Sequence, residues 1–465
     1  MLTADKQILL SGFLGQLPQQ VAARLAKAVE VDRLIGGKEL PHEQILSALR
    51  PQLRQATQPN RTATPQRLFC QPFEDLLVRG ERKTKNKGRI ARSSIEPIWN
   101  WLQNELMPER HRELTAAVRD AIMRNREEEL DATLGVFWDE ASAALKAALA
   151  DDKLKVAAGR KLSGHPIAGD AAEMALLLGG GREIIEVQRR LPKPIVNLTE
   201  EHISFVRQTF DRLSISNPDL APYIALIVMG RLERPWEALR LAAIVSRKSV
   251  DTVIANTDVG IVGEILFDDL DVYTHKIQAI RPLEFESQAL LANLAAFAEL
   301  SSGMVKELGI RRDGKWGQRL GKDRAAVSTL MEGLLERAPK EILGGLPAVK
   351  VGAFSKGPKP LDVGRAPDPD RVARALRFAH LMVHSRHFAV AAAFSAKLNE
   401  AMDETANTLR SYNEDLLREV RTAPPEHRTN VEKHFANALD ICKLILGEDE
   451  ADFLRRRAKV TVGAA

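Results

Sequence analysis

Apolar residues recur every three or four positions along most of this chain. That spacing gathers them on one side of an α-helix and predicts helices nearly throughout. In "PQQVAARLAKAVEVDRL" the apolar positions form one stripe, and Pro18 suits a first helical turn, where a missing N–H leaves no bond unmade. Gly36 and Gly37 break the pattern before "HEQILSALRPQL", and the polar stretch "RQATQPNRTATPQR" breaks it again. Ser93 followed by Glu96 predicts a capping box at the head of "SSIEPIWNWLQNEL", with Pro97 tolerated in the first turn.

Residues 109–150 read as one or two long helices, and the glycines at 179–181 separate two shorter ones. Several helices fill 199–280, punctuated by Pro218, Pro222 and Pro235, and long helices are expected at 284–308 and 315–337. The stretch "LPAVKVGAFSKGPKPLDVGRAPDPD" holds five prolines and three glycines and reads as a linker, with "VKVGAF" its one hint of a strand. Helices resume from Pro369 to about Arg457. No segment alternates apolar and polar residues as a half-buried strand would.

The expected fold class is therefore all-α, with two or three helical bundle-like domains and negligible sheet. The expected division is an N-terminal helical domain at 1–165, a central one at 166–345, a Pro/Gly-rich linker at 346–369, and C-terminal helices at 370–457 that pack on 284–337.

Composition sharpens this picture in two places. Aromatic residues make up 5% of the 465 residues, so Leu, Ala, Val and Ile must supply most of the core, which favours helices over sheet. The net charge is +5, yet residues 79–92 carry seven cations and one anion. The remainder of the chain thus sums to −1, and the basic character is local. Two distant cysteines, Cys70 and Cys442, show neither metal-binding nor redox spacing. No apolar run approaches the ~18 residues of a membrane helix. The start lacks the basic region and cleavage site of a secretory leader, so a cytoplasmic protein is expected.

Five stretches carry candidate chemistry. The first is the basic segment, with Arg79, Arg82, Lys83, Lys85, Lys87, Arg89 and Arg92 ahead of a helix start at Ser93. Cations beside a helix N-terminus suit phosphate, a nucleic-acid backbone or an acidic protein face. No aromatic residue lies between them, so base stacking on this segment is not expected. Against the binding role stands an ordinary solvated loop.

The second, "LAAIVSRKSVDTVIAN", has the outline of a helix-turn-helix with Ser246 capping a second helix, but it reads better as a hairpin within a bundle. The third, "GIRRDGKWG", has the G-x-x-x-x-G-K frame of a phosphate loop. Trp316 stands where Ser or Thr should reach the metal, and no strand precedes Gly309. A helix end, a basic turn and a new helix are expected instead.

The fourth places Glu264, Asp268, Asp271 and His275 on one helical face, which could hold a divalent metal, with Val262, Leu266, Leu270, Tyr273, Ile277 and Ile280 opposite. The apolar side should face the core, which turns the acidic side to water. The fifth places His380, His384 and His387 along one helical line. They are the candidates for metal ligands or for a switch charging near pH 6, although no Glu stands between them as H-E-x-x-H requires, and histidines hydrogen-bonded at a core margin or facing a partner are the commoner outcome. Their helix is apolar nearly all round, which predicts a central or interfacial position.

No nucleophile elbow, dinucleotide turn or paired Cys and His appears. The expected function is a non-catalytic cytoplasmic scaffold or adaptor, without cofactor, that docks an acidic macromolecular partner through the basic segment. One alternative is a nucleic-acid-binding regulator using the same cations. Another is a metal protein or enzyme centred on the three histidines.

Overall fold

The computed structural model describes residues 63–79, 85–162, 165–347 and 361–462, together with single positions between Leu14 and Leu49. The protein is all-α, and the described sheet is a single two-stranded ladder. Two compact units divide it. One comprises residues 1–74 and 93–181, the other 75–92 and 182–465. The sequence boundary at 165 thus falls within a unit, and the basic segment belongs with the later residues. "VKVGAF" and most of the linker lie outside the described residues.

In the first unit, α1 (Pro65–Phe69), α2 (Ile95–Trp101), α3 (Pro108–Met123), α4 (Glu127–Ala148), α5 (Asp152–Lys161) and α6 (His165–Gly179) follow one another. Helix α4 packs on α3 with one face and on α6 with another. The contact with α6 is close because small residues meet there. The Ser142 hydroxyl donates to the Ala175 carbonyl at 2.6 Å, and a side chain at Gly179 would collide with Ser142. One aromatic cluster lies in this unit, where Phe69, Trp99, His111 and Phe137 meet edge to face or tilted. The Trp138 indole donates to the Phe69 carbonyl at 3.1 Å, which ties α1 to α4.

The capping box expected at Ser93 does not form. Helix α2 starts at Ile95, and its N-cap Ser94 makes no capping bond. The Ser94 hydroxyl instead donates to the Asp170 carboxylate at 2.6 Å, both groups being buried. A capping box occurs elsewhere, between Thr199 and His202.

In the second unit, α7 (Gly181–Arg190), α8 (Glu200–Ser216), α9 (Ala221–Arg231), α10 (Ala238–Ser246) and α11 (Asp251–Ile254) lead to α12 (Ile261–Gln278). Then come α13 (Ser287–Leu308), α14 (Lys315–Gly344), α15 (Pro369–His384), α16 (Ser395–Thr422), α17 (Arg428–Ile445) and α18 (Glu448–Val462). Helix α9 is buried from Ala221 to Met229, as its unbroken apolar run requires. Each large side chain there contributes about 1.5–3 kcal/mol by leaving water. Helix α14 packs against α12, α15 and α16, and α13 also meets α15. The C-terminal helices close over Leu417, Cys442, Ala451, Leu454 and Ala458.

Residues 75–92 join this unit through a parallel ladder, β1 (Leu77–Val78) with β2 (Ile90–Ala91). The base of the excursion is fixed by Asp75, which accepts from Arg231 at 2.7 Å, from Gln188 at 3.1 Å and from Lys193 at 3.3 Å. Its side chain is 2% exposed and that of Arg231 is 13% exposed. Gly230 is required beside it, because a Cβ there would lie 2.4 Å from the Asp75 carbonyl oxygen.

Candidate functional site

Among the described residues of the basic segment, some side chains turn inward and others outward. Gly88 adopts φ +81°, a backbone conformation that side chains disfavour, and sits buried against Leu226 and Ile265. On either side of it, Asn86 donates to Asp268 at 2.7 Å and Arg89 pairs with Asp269. Lys85 turns back to the Arg89 carbonyl. Arg79, Lys87 and Arg92 are exposed, and no carboxylate among the described residues pairs with them. Lys87 lies 5.9 Å from the centre of the Tyr223 ring. Arg82 and Lys83 lie outside the described residues. At the head of the helix that follows, the Ser94 hydroxyl donates to Asp170.

The acidic face of α12 does not look out on bulk water. Arg319 donates to Glu264, Asp268 and Asp271, and Lys315 and the Trp316 indole donate to Glu264 at 2.8 and 3.0 Å. The sequence places cations four residues apart at 315 and 319, which puts both on one face of α14 opposite this ladder. Burial alone would lift the Glu264 carboxyl, but the Lys315 and Trp316 hydrogen bonds and the Arg319 charge hold it below its usual range. Asp323, one turn beyond Arg319, behaves oppositely. Burial, and then the Asp271 charge, push its carboxyl up to about 6, with Arg319 opposing. It is 6% exposed, and its Oδ2 accepts no hydrogen bond.

The histidine line is not central. His380, His384 and His387 are all exposed, on the solvent side of α15 and of the short turn Ser385–His387. The His380 and His384 rings stack 5.6 Å apart, while His387 packs against Phe388. Among the described residues no three His, Cys, Asp or Glu side chains gather as a metal site needs. The helix-turn-helix outline also lapses. Ser246 donates to the Ala243 carbonyl rather than capping a helix, and α11 is four residues long with Asp251 buried. "GIRRDGKWG" forms the expected helix end at Gly309, with φ +60°, then a turn and the start of α14.

A second feature lies in the first unit and involves residues the sequence patterns did not single out. A cleft of about 540 Å³ opens beside α3. Helix α3 supplies Pro108, His111, Arg112, Thr115, Ala116 and Arg119, at the i, i+3, i+4 spacing of one helical stripe. The turn between α2 and α3, Leu102–Leu106, is a π-helical turn, and its Gln103 and Asn104 complete the rim with Thr64, Gln66 and Trp99. Such turns often accompany functional sites. No carboxylate lines the cleft. His111 is 2% exposed, its Nδ1 is 3.5 Å from the Thr115 hydroxyl, and its Nε2 has no hydrogen-bond partner. Burial lowers its pKa, so the ring is neutral at neutral pH.

Neither a family model, nor a curated protein, nor a solved structure matches this chain. Among the described residues no helix is long and apolar enough to cross a membrane.

Proposed function

We propose that this protein is a non-catalytic helical scaffold or adaptor that docks an acidic protein surface through the 79–92 loop. The observation that carries the reading is the division of labour among its cations. Arg89, with Asn86 and Gly88, fixes one end of the loop to α12, and the ladder of Leu77 with Ile90 fixes both ends side by side. Arg79, Lys87 and Arg92 are then held outward without carboxylate partners among the described residues. A loop with anchored ends loses less conformational freedom on binding than a free one. Two buried, unpaired cysteines fit a reducing, cytoplasmic setting.

The test uses the full chain and a fluorescent poly-glutamate peptide, followed by anisotropy over a salt series. Binding is expected to weaken with salt and to fall at least tenfold in the Arg79→Ser, Lys87→Ser, Arg92→Ser triple variant. Unchanged affinity in that variant sinks the proposal. Tighter binding to duplex DNA, with a salt slope of several units, would put a nucleic-acid regulator in its place.

A further inference from the structure

We propose that the cleft beside α3 binds a small molecule bearing a phosphate group, gripped between Arg112 and Arg119. Arg110 pairs with Glu140 and Glu113, Arg124 with Asp120, and Arg126 with Glu129. Arg112 and Arg119 alone among these line the cleft, and no carboxylate among the described residues pairs with either. The other three are paired with carboxylates at the surface. The two facing the cleft leave two positive charges in a concavity without an acid in its lining.

Helix geometry sets the grip. Positions 112 and 119 are two turns apart on one stripe, about 10.5 Å along the axis. Thr115 and the small Ala116 lie between them, leaving room for an anion over the helix. Guanidinium groups pair with phosphate oxygens in a two-pronged fashion. Two of them plus the Thr115 hydroxyl present more donors than the two oxygens of one carboxylate can use, while the three terminal oxygens of a phosphate ester suit them. The rest of the lining describes the remainder of the molecule. Thr64, Gln66, Gln103 and Asn104 offer hydroxyl and amide groups to a polar body, and Pro65, Pro108 and Trp99 offer limited apolar surface. The volume is that of an ordinary small-molecule site.

His111 forms the floor. It packs edge-on against Trp99 at 4.5 Å and Phe137 at 5.3 Å, which fixes the ring. A buried imidazole nitrogen without a partner is costly. A ligand oxygen, or a water carried with it, supplies that partner.

The test is calorimetric titration of the full chain with ribose 5-phosphate, inorganic phosphate, ribose and succinate. The background is the Arg79→Ser, Lys87→Ser, Arg92→Ser variant, which removes the exposed loop cations as a competing anion site. Ribose 5-phosphate is expected to bind saturably, inorganic phosphate to compete for the same site, and ribose alone to give no heat. Arg112→Gln and Arg119→Gln should each weaken binding at least tenfold. His111→Phe keeps an aromatic ring against Trp99 and Phe137. It should weaken binding severalfold while the far-ultraviolet circular dichroism and melting profile stay as in the parent. Absence of saturable binding by either phosphate probe at millimolar concentration overturns the proposal. So does binding that both arginine variants leave unchanged, and so does succinate binding as tightly as ribose 5-phosphate.

Discussion

Asp323→Asn should make this protein more stable at mildly alkaline pH, although it removes a charge from beside an arginine. The carboxyl is 6% exposed, its Oδ2 is unpartnered, and the Arg319 guanidinium next to it is already engaged by Glu264, Asp268 and Asp271. Burial raises its folded pKa from 3.8 to about 6. A carboxyl with a raised pKa holds its proton more tightly when folded than when unfolded. Its contribution to stability is therefore fully present below the unfolded value and is lost as pH rises through the folded one. Roughly two pH units at about 1.4 kcal/mol each give at most about 3 kcal/mol lost between these limits. Asparagine keeps the shape, cannot ionise, and can donate its amide to Asp271. Urea unfolding followed by circular dichroism at about pH 4.5 and about pH 8 measures the effect. The stability difference between variant and parent should move in favour of the variant by about 2 kcal/mol from the lower pH to the higher. An equal difference at both values, or a variant less stable at the higher pH, would refute the reasoning.

Three further outcomes are expected. Arg231→Met leaves the Asp75 carboxylate buried without its main partner and should destabilise the second unit by about 3–5 kcal/mol, measured by chemical denaturation. Gly88→Ala must adopt a positive φ and place a methyl 2.6 Å from Ile265 and Leu226, so a loss of about 2–4 kcal/mol is expected, together with faster amide exchange across Leu77–Val78 and Ile90–Ala91. Cys70 is buried, and its thiol is pushed up to about 12, first by burial and then by Glu74. It should resist a thiol-titrating reagent at about pH 8 until the protein unfolds, and rapid native-state labelling of Cys70 would contradict this placement.

The helical architecture was legible because period and propensity agree along most of the chain. The long helices at α13 and α14, the break at Gly179–Gly181 and the stop at Gly309 all follow from local pattern. The fate of the basic segment was half legible. Its charge is visible in one window of sequence, but the carboxylates that draw Arg89 and Asn86 inward lie 180 and 182 residues away. The same long-range pairing hid the covering of the α12 acids by Arg319. The histidine line misled because its helix has enough apolar residues to suggest burial all round, while packing needed only Ala375, Phe378, Ala379, Leu381 and Met382. The cleft left one readable signal. Positions 108, 111, 112, 115, 116 and 119 form a stripe at core spacing that carries two arginines, a histidine and a threonine. The π-helical turn beside it depends on tertiary packing and has no local signature.

The excursion of residues 75–92 also has a temporal consequence. The chain passes between units after residues 74, 92 and 181, so any single proteolytic nick at one junction leaves the halves tethered through two others. On the ribosome this stretch emerges long before its docking helix, since Asp269 is 180 residues beyond Arg89. At ~5–20 residues per second, some ten to forty seconds of translation separate the two. During that interval Arg89, turned inward in the finished molecule, stands bare, and the first unit must close around a gap in its own sequence. A nascent chain arrested before α12 would thus display a more basic surface than the finished molecule.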